Sequence, residues 1–179
     1  AIAMPFVSRG RVLGANDRVV LASIGIRGQG NALKQGFARL PGVEIKTLCD
    51  IDENLFASRA NDPGLKDVPT FKPGYAKDMR RVFDDKDIDG VIVATPNHWH
   101  SLAAIWGCQA GKDVYVEKPI SHNVFEGRRL VEIAQETGRI VQHGTQIRSS
   151  AGIIEAVQKL NEGVIGDVYL ARGLCYRWR

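Results

Sequence analysis

The sequence predicts an α/β fold built on a parallel sheet with helices on both faces, and three observations predict it. Short apolar segments alternate with helical segments along the chain. A glycine-rich turn joins the first apolar segment to the first helix, and an acidic residue follows the second apolar segment. Strands and helices that alternate in this way form parallel sheets whose two faces are both covered.

Five apolar segments are predicted as strands, at residues 19–26, 44–49, 90–94, 114–116 and 140–142. Helices are predicted directly after Gly30 and at residues 51–60, 77–83, 99–110, 123–138 and 150–163. The clearest of them has Asn123 and Glu126 as a capping box and Gly138 at its end. The stretch 61–75 holds three prolines and two glycines, so we predict that it is mostly loop.

The chain divides into a tail at 1–17, the sheet domain at 18–145 and the start of a second domain at 146–179. Residues 168–178 alternate between apolar and polar, which is typical of a half-buried strand. A strand needs neighbouring strands and a facing layer. We therefore expect that the natural protein is longer, and that 146–179 holds the first helix and strand of a truncated C-terminal α/β domain.

The composition is that of an ordinary soluble globular protein, with 44% apolar and 25% charged residues. No apolar run reaches the ~18–20 residues of a membrane-spanning helix, so we expect no membrane partner. Three widely spaced cysteines give neither a disulfide framework nor a metal motif. The net charge is +4, but no basic stripe interleaved with aromatics is present, so we expect no nucleic-acid partner.

The first predicted strand ends in the sequence Gly25-Ile26-Arg27-Gly28-Gln29-Gly30, and a helix begins at once. Glycines let the backbone approach a pyrophosphate closely, and the helix N-terminus offers unpaired N–H groups. Gly25 and Gly30 match the dinucleotide-binding pattern Gly-x-Gly-x-x-Gly, but Arg27 replaces its middle glycine. We predict that this turn binds a dinucleotide; a tight turn without a ligand is the alternative.

Asp50 follows the second predicted strand, 20 residues after Gly30. This is the spacing expected of a carboxylate that accepts hydrogen bonds from the adenosine ribose. A carboxylate there repels a 2′-phosphate, so the predicted cofactor is NAD, and NADP is less favoured. The alternative is that Asp50 only caps the next helix, close to Asp52.

The third predicted strand is followed by Thr95-Pro96-Asn97-His98-Trp99-His100. Pro96 ends the strand where the chain must turn past the cofactor, and we predict that Asn97 and His100 bind ribose hydroxyls there. His98 and His100 are an alternative pair of metal ligands, but no third ligand lies at a supporting spacing, so no metal site is predicted.

Glu117, Lys118 and Pro119 follow the fourth predicted strand. Pro119 ends the ladder because it lacks an N–H group, and it favours an extended backbone at Lys118. An ammonium at this edge could transfer a proton or donate a hydrogen bond to a substrate hydroxyl. A surface ion pair is the alternative. Gln146, after the last strand of the sheet, could face the nicotinamide or belong to a linker.

Together these motifs resemble the Gfo/Idh/MocA family, named after glucose–fructose oxidoreductase, inositol dehydrogenase and a rhizopine-catabolism protein. The resemblance covers residues 18–178. It implies a Rossmann-type, doubly wound NAD(P)-binding domain followed by an α/β domain whose open sheet often forms an oligomer interface. It also implies a sugar or cyclitol substrate, Lys118 as the catalytic lysine and Glu117 as a ligand of the nicotinamide-side ribose.

We therefore predict an oxidoreductase that transfers a hydride between NAD and a secondary hydroxyl of a sugar, cyclitol or glycoside. The family's further Asp and His, contributed by the C-terminal domain, are absent from this chain, so it is expected to bind dinucleotide without turnover. The predicted partners are a small sugar or cyclitol and further copies of the protein in a homo-oligomer. A glycosidase that uses bound NAD catalytically and a non-catalytic dinucleotide-binding module are the alternatives.

The tail resembles the segment after the signal in exported members of this family, which use a twin-arginine signal. Residues 1–3 and 11–18 carry this resemblance. The resemblance implies a periplasmic or exported protein, with a cytoplasmic one as the alternative.

Overall fold

The structure, a computed structural model, describes residues 18–174. Within them, six strands form one parallel sheet: β1 (Val19–Ile24), β2 (Val43–Cys49), β3 (Gly74–Ala76), β4 (Gly90–Val93), β5 (Asp113–Glu117) and β6 (Val141–Gly144). The helices are α1 (Gly28–Ala38), α2 (Phe56–Ala60), α3 (Met79–Asp84), α4 (His100–Gln109), α5 (Val124–Thr137) and α6 (Ala151–Asn161). No helix in the described part of the chain is long and apolar enough to cross a bilayer.

The strand order in the sheet is β3-β2-β1-β4-β5-β6. The chain therefore starts in the middle of the sheet, adds strands towards one edge, and returns to add strands towards the other. β1 pairs with both β2 and β4, so the direction of winding reverses between β1 and β4. This is the Rossmann-type doubly wound order, and the predicted fold class is confirmed.

The structure differs from the prediction at the edge strand β3, which begins within the stretch 61–75 predicted to be mostly loop. Gly74 to Ala76 pair with Thr47 to Cys49 of β2. Three residues are too few to show a strand period, and Pro73 directly before them is compatible with an edge strand because its missing N–H faces no ladder. The strand is stabilised by pairing with β2, which its own sequence does not reveal.

Two apolar cores cover the two faces of the sheet. On one face Val82 and Phe83 of α3, Ala104 of α4 and Leu130 of α5 are buried against the strands. On the other face Ala38 of α1 and Phe56 of α2 are buried against β1 and β2. The predicted pairing of Asn123 and Glu126 at the start of α5 is confirmed: the Asn123 side chain accepts from the Glu126 N–H at 2.9 Å, and its amide donates to the Glu126 carboxylate at 2.8 Å.

The described chain forms two units, the first ending at Gly144 and the second beginning at Thr145. The second unit contains α6, whose position agrees with the predicted helix at 150–163. Residues 168–174 are not in a strand. The rest of that predicted strand, and the predicted tail at 1–17, lie outside the described residues.

A buried ion pair fastens the loop after α2 to α1. The Lys34 side chain is fully buried, and its ammonium donates to the Asp62 carboxylate and to the Arg59 carbonyl, each at 2.8 Å. Burial raises the pKa of Asp62, but hydrogen bonds from Lys34, Gln35 and the Gly64 N–H outweigh this effect and lower it from 3.8 to about 2. Asp62 is therefore ionised in the folded protein at neutral pH.

Asp62→Ala should destabilise the first unit strongly, because it leaves the Lys34 ammonium buried without its counter-charge. Loss of one partner of a buried pair costs about 3–5 kcal/mol of unfolding free energy. Urea denaturation followed by circular dichroism measures it. Since the pKa of Asp62 is lowered, its contribution to the unfolding free energy is complete above pH ~4 and declines as the pH falls towards 2. The difference in unfolding free energy between wild type and variant should therefore become smaller in that pH range.

Glu53→Ala is the matched control, because it removes the exposed ion pair with Lys77. This control should leave the denaturation midpoint essentially unchanged. Equal loss of stability in the two variants would contradict the role given to Asp62.

Candidate functional site

The glycine turn after β1 packs backbone against backbone at the carboxyl edge of the sheet. A Cβ at Gly30 would lie 1.9 Å from the Gly25 carbonyl oxygen, and a Cβ at Gly25 would lie 2.6 Å from the Ala94 carbonyl oxygen. Gly25 also has a φ of +82°, which disfavours other residues. Both positions therefore require glycine, and the turn lies directly against the end of β4.

Gly28 and Thr95 give this turn the properties of an anion site. Gly28 opens α1, and no atom lies within 4 Å of the position that its Cβ would take. The Thr95 hydroxyl is buried beside the turn without a hydrogen-bond partner. An approachable helix N-terminus and a buried orphan hydroxyl fit a dinucleotide whose pyrophosphate lies at α1, and these residues would hold it.

Asp50 and Arg59 both bind the backbone of Ile26, in the glycine turn. The Asp50 carboxylate accepts from the Ile26 N–H and from the Asp52 N–H, each at 3.0 Å. The Arg59 guanidinium donates to the Ile26 carbonyl at 2.9 Å. Each Asp50 oxygen keeps a second lone pair for a ribose hydroxyl. Sequence reasoning missed Arg59, because an arginine in a short helix carries no motif.

Glu117 joins the glycine turn to the end of β5. Its side chain is 4% exposed, and its carboxylate accepts from the Gln29 amide at 3.2 Å and from the Lys118 N–H at 2.9 Å. Gln29 and Glu117 are 88 positions apart in the chain. The structure thus brings two of the predicted motifs together at one edge of the sheet.

His100 has a different environment from the one expected of a ribose ligand. It is 1% exposed, and its ring nitrogens lie 2.6 Å from the Pro119 carbonyl oxygen and 2.8 Å from the Thr95 carbonyl oxygen. Both nitrogens are thus engaged by the backbone, and the ring connects the loops after β4 and β5. Among residues 18–174 no group of three or more metal-ligating side chains occurs, so His98 and His100 have no third partner there.

The remaining predicted residues lie at the same edge or in the second unit. Lys118 is exposed directly after β5, and the bond between Lys118 and Pro119 is cis. Pro96 and Asn97 are exposed after β4, where Asn97 begins a single 3₁₀ turn. Gln146 belongs to the second unit, and its contact with a cofactor stays a prediction.

Residues 20–145 match the sequence profile of the oxidoreductase family Gfo/Idh/MocA, described as having an NAD-binding Rossmann fold. The chain belongs to this family. Its glycine turn, Asp50 and the Glu117-Lys118-Pro119 segment all lie within the matched residues. The match confirms the resemblance inferred from these motifs, together with membership of an NAD-binding oxidoreductase family.

The chain is similar to one curated protein in sequence and to two solved structures in fold. A glycosyl hydrolase family 109 protein of Shewanella pealeana is 27% identical over 89% of this chain, which spans 35% of that protein. The scyllo-inositol dehydrogenase of Lactobacillus casei, solved with NAD(H) and scyllo-inositol, superimposes with a TM-score of 0.71 at 18% identity, over 84% of this chain and 43% of the other. A 3-ketoreductase of Actinomadura kijaniata, solved with TDP-benzene and NADP, superimposes with a TM-score of 0.70 at 22% identity, over 84% of this chain and 44% of the other.

The structural likenesses are likenesses of fold, and they cover less than half of the solved chains. The chain spans about a third of the length of the curated relatives that it matches. Of these two solved structures of similar fold, one contains NAD(H) and the other contains NADP.

Gly30→Ala should abolish dinucleotide binding, because a methyl group at this position collides with the Gly25 carbonyl and forces the turn apart. Calorimetric titration with NAD measures the affinity. Gly36→Ala is the matched control on the same helix, since no atom lies within 4 Å of its Cβ position. The control should keep binding and raise the unfolding free energy by about 0.5–1 kcal/mol, because alanine favours a helix interior.

Proposed function

We propose that the complete protein is an NAD-dependent oxidoreductase that acts on a secondary hydroxyl of a sugar, cyclitol or glycoside. The observation that carries the proposal is the contact of Gln29 with Glu117. It links an anion-binding turn to a segment that ends in an exposed lysine. A module that only bound nucleotide would have no need of an ammonium at that position.

Each residue has a role that follows from its surroundings. The N–H groups that open α1 would bind the pyrophosphate, and Asp50 would accept from the adenosine ribose. Glu117 is buried and bonded to Gln29, so it offers a fixed acceptor for a ribose hydroxyl on the nicotinamide side. When bound, the nicotinamide supplies a carbon that accepts or donates a hydride.

Lys118 would assist the proton transfer that accompanies oxidation of the alcohol. Its N–H donates to Glu117, so the backbone of Lys118 is fixed while its side chain is exposed at the sheet edge. An ammonium near the substrate oxygen would stabilise alkoxide character and exchange its proton with that oxygen. The second domain would provide the remaining contacts to the substrate.

The relatives support the substrate class and also a second candidate function. The Lactobacillus casei relative is a dehydrogenase solved with scyllo-inositol, which supports a cyclitol or sugar substrate. The Shewanella pealeana relative carries the name of a glycosyl hydrolase family and matches most of this chain. A glycosidase that oxidises its sugar to a ketone, eliminates the aglycone, adds water across the resulting double bond and then reduces the ketone is therefore the alternative. Net formation of NADH supports the dehydrogenase, whereas aglycone release without NADH accumulation supports the glycosidase.

Lys118→Ala in the complete gene product should lower kcat by about 10²–10⁴-fold, because it removes the group that exchanges the substrate proton. NAD affinity should change little, since the pyrophosphate turn and Asp50 are untouched. Steady-state kinetics and a fluorescence titration with NAD measure the two quantities. Lys72→Ala, at an exposed position in the loop after α2, is the control. An unchanged kcat in the Lys118 variant would remove this lysine from the mechanism.

A further inference from the structure

Arg27 and Asp52 form an ion pair beside Asp50, the carboxylate that is expected to bind the adenosine ribose. The Arg27 guanidinium donates to one Asp52 oxygen, and the Asp52 N–H donates to Asp50. Asp50 also accepts from the Ile26 N–H, next to Arg27 in the chain. Together with the peptide bond between Ile26 and Arg27, these contacts join the Arg27 guanidinium and the carboxylates of Asp50 and Asp52 into one closed network.

The charges in this network bear on the difference between NAD and NADP, which is the phosphate on the adenosine ribose. In Rossmann folds a carboxylate at this strand end binds the free 2′-hydroxyl, and a nearby arginine accommodates the 2′-phosphate. Both types of side chain are present here. The Arg27 side chain is 70% exposed, so it is accessible to a ligand, but its guanidinium is bound to Asp52.

We propose that Asp52 is a specificity-determining residue, which binds the Arg27 guanidinium, withholds it from a 2′-phosphate and so favours NAD over NADP. The inference rests on the proposed function, because it assumes that a dinucleotide binds along the glycine turn. It goes beyond that function in assigning selectivity to a residue two positions after Asp50. Asp50 then accepts from the adenosine ribose hydroxyl, and the ion pair of Arg27 with Asp52 adds to the discrimination between NAD and NADP.

Asp52 is well suited to substitution because its two oxygens have separate tasks. One accepts from the Asn54 N–H and side-chain amide as the cap of the 3₁₀ turn at Glu53–Leu55, and the other accepts from Arg27. Desolvation raises the pKa of Asp52, but the Asn54 hydrogen bonds and the Arg27 charge outweigh it and keep the pKa low. Asparagine is an equally good cap, so Asp52→Asn keeps the turn and removes the charge.

The test is a calorimetric titration of the purified chain with NAD and with NADP, in wild type, D52N, R27Q and the double variant. D52N should raise the affinity for NADP relative to NAD by about tenfold, because a charge-assisted hydrogen bond to phosphate becomes available. In the double variant most of this gain should disappear. E53Q, which removes the neighbouring carboxylate without releasing Arg27, should leave the ratio within about twofold of wild type.

The possible outcomes are distinguishable. Failure of wild type to bind either dinucleotide would overturn the proposed function. If D52N binds NAD and its affinity for NADP relative to NAD is unchanged from wild type, the proposed function stands and the role of Asp52 is overturned. A gain that persists without Arg27, or that E53Q reproduces, would also overturn it, because loss of negative charge alone would then suffice. Circular dichroism spectra that match wild type show that the cap and fold survive in each variant.

Discussion

The close approach of two backbones at the end of β1 is the constraint on which the rest of the site depends. The Gly30 Cα, the Gly25 carbonyl and the end of β4 lie so close together that no side chain fits between them. This contact fixes where α1 begins and points its first N–H groups at the carboxyl edge of the sheet. Because β1 pairs with both β2 and β4, the turn lies at the point where the winding of the sheet reverses.

A set of partly buried polar contacts gives this edge a defined geometry. Arg59 and Asp50 fix the turn, Glu117 connects it to β5, and His100 connects the loops after β4 and β5. A buried carboxylate or imidazole without partners would cost free energy, so each of these groups is paired with a backbone or amide group. The position of the Gln29 side chain therefore depends on a contact far outside its own segment, and Glu117, which makes that contact, also accepts from the Lys118 backbone N–H.

The sequence was sufficient for the features that depend on local chemistry. The capping box of α5, the glycine turn and the alternation of strands and helices each show as a short pattern, because the physical cause lies within a few residues. The environment of His100, the strand β3 and the role of Arg59 depend on partners far away in the chain, such as Pro119, β2 and Ile26. No local pattern records such partners, so the sequence predicted a ribose contact for His100, whose two ring nitrogens the structure places against backbone carbonyl oxygens.

The site also separates its donors from its acceptors along the edge of the sheet. Backbone N–H groups and the partial positive charge of α1 lie at the glycine turn, where a pyrophosphate needs donors. Carboxylates lie to either side of it, Asp50 after β2 and Glu117 at the end of β5, where ribose hydroxyls need acceptors. A dinucleotide has the same alternation of hydroxyls, phosphates and hydroxyls. Since the strand order places β1 between β2 and β5, the topology of the sheet itself puts the acceptors at the two ends and the donors in the middle.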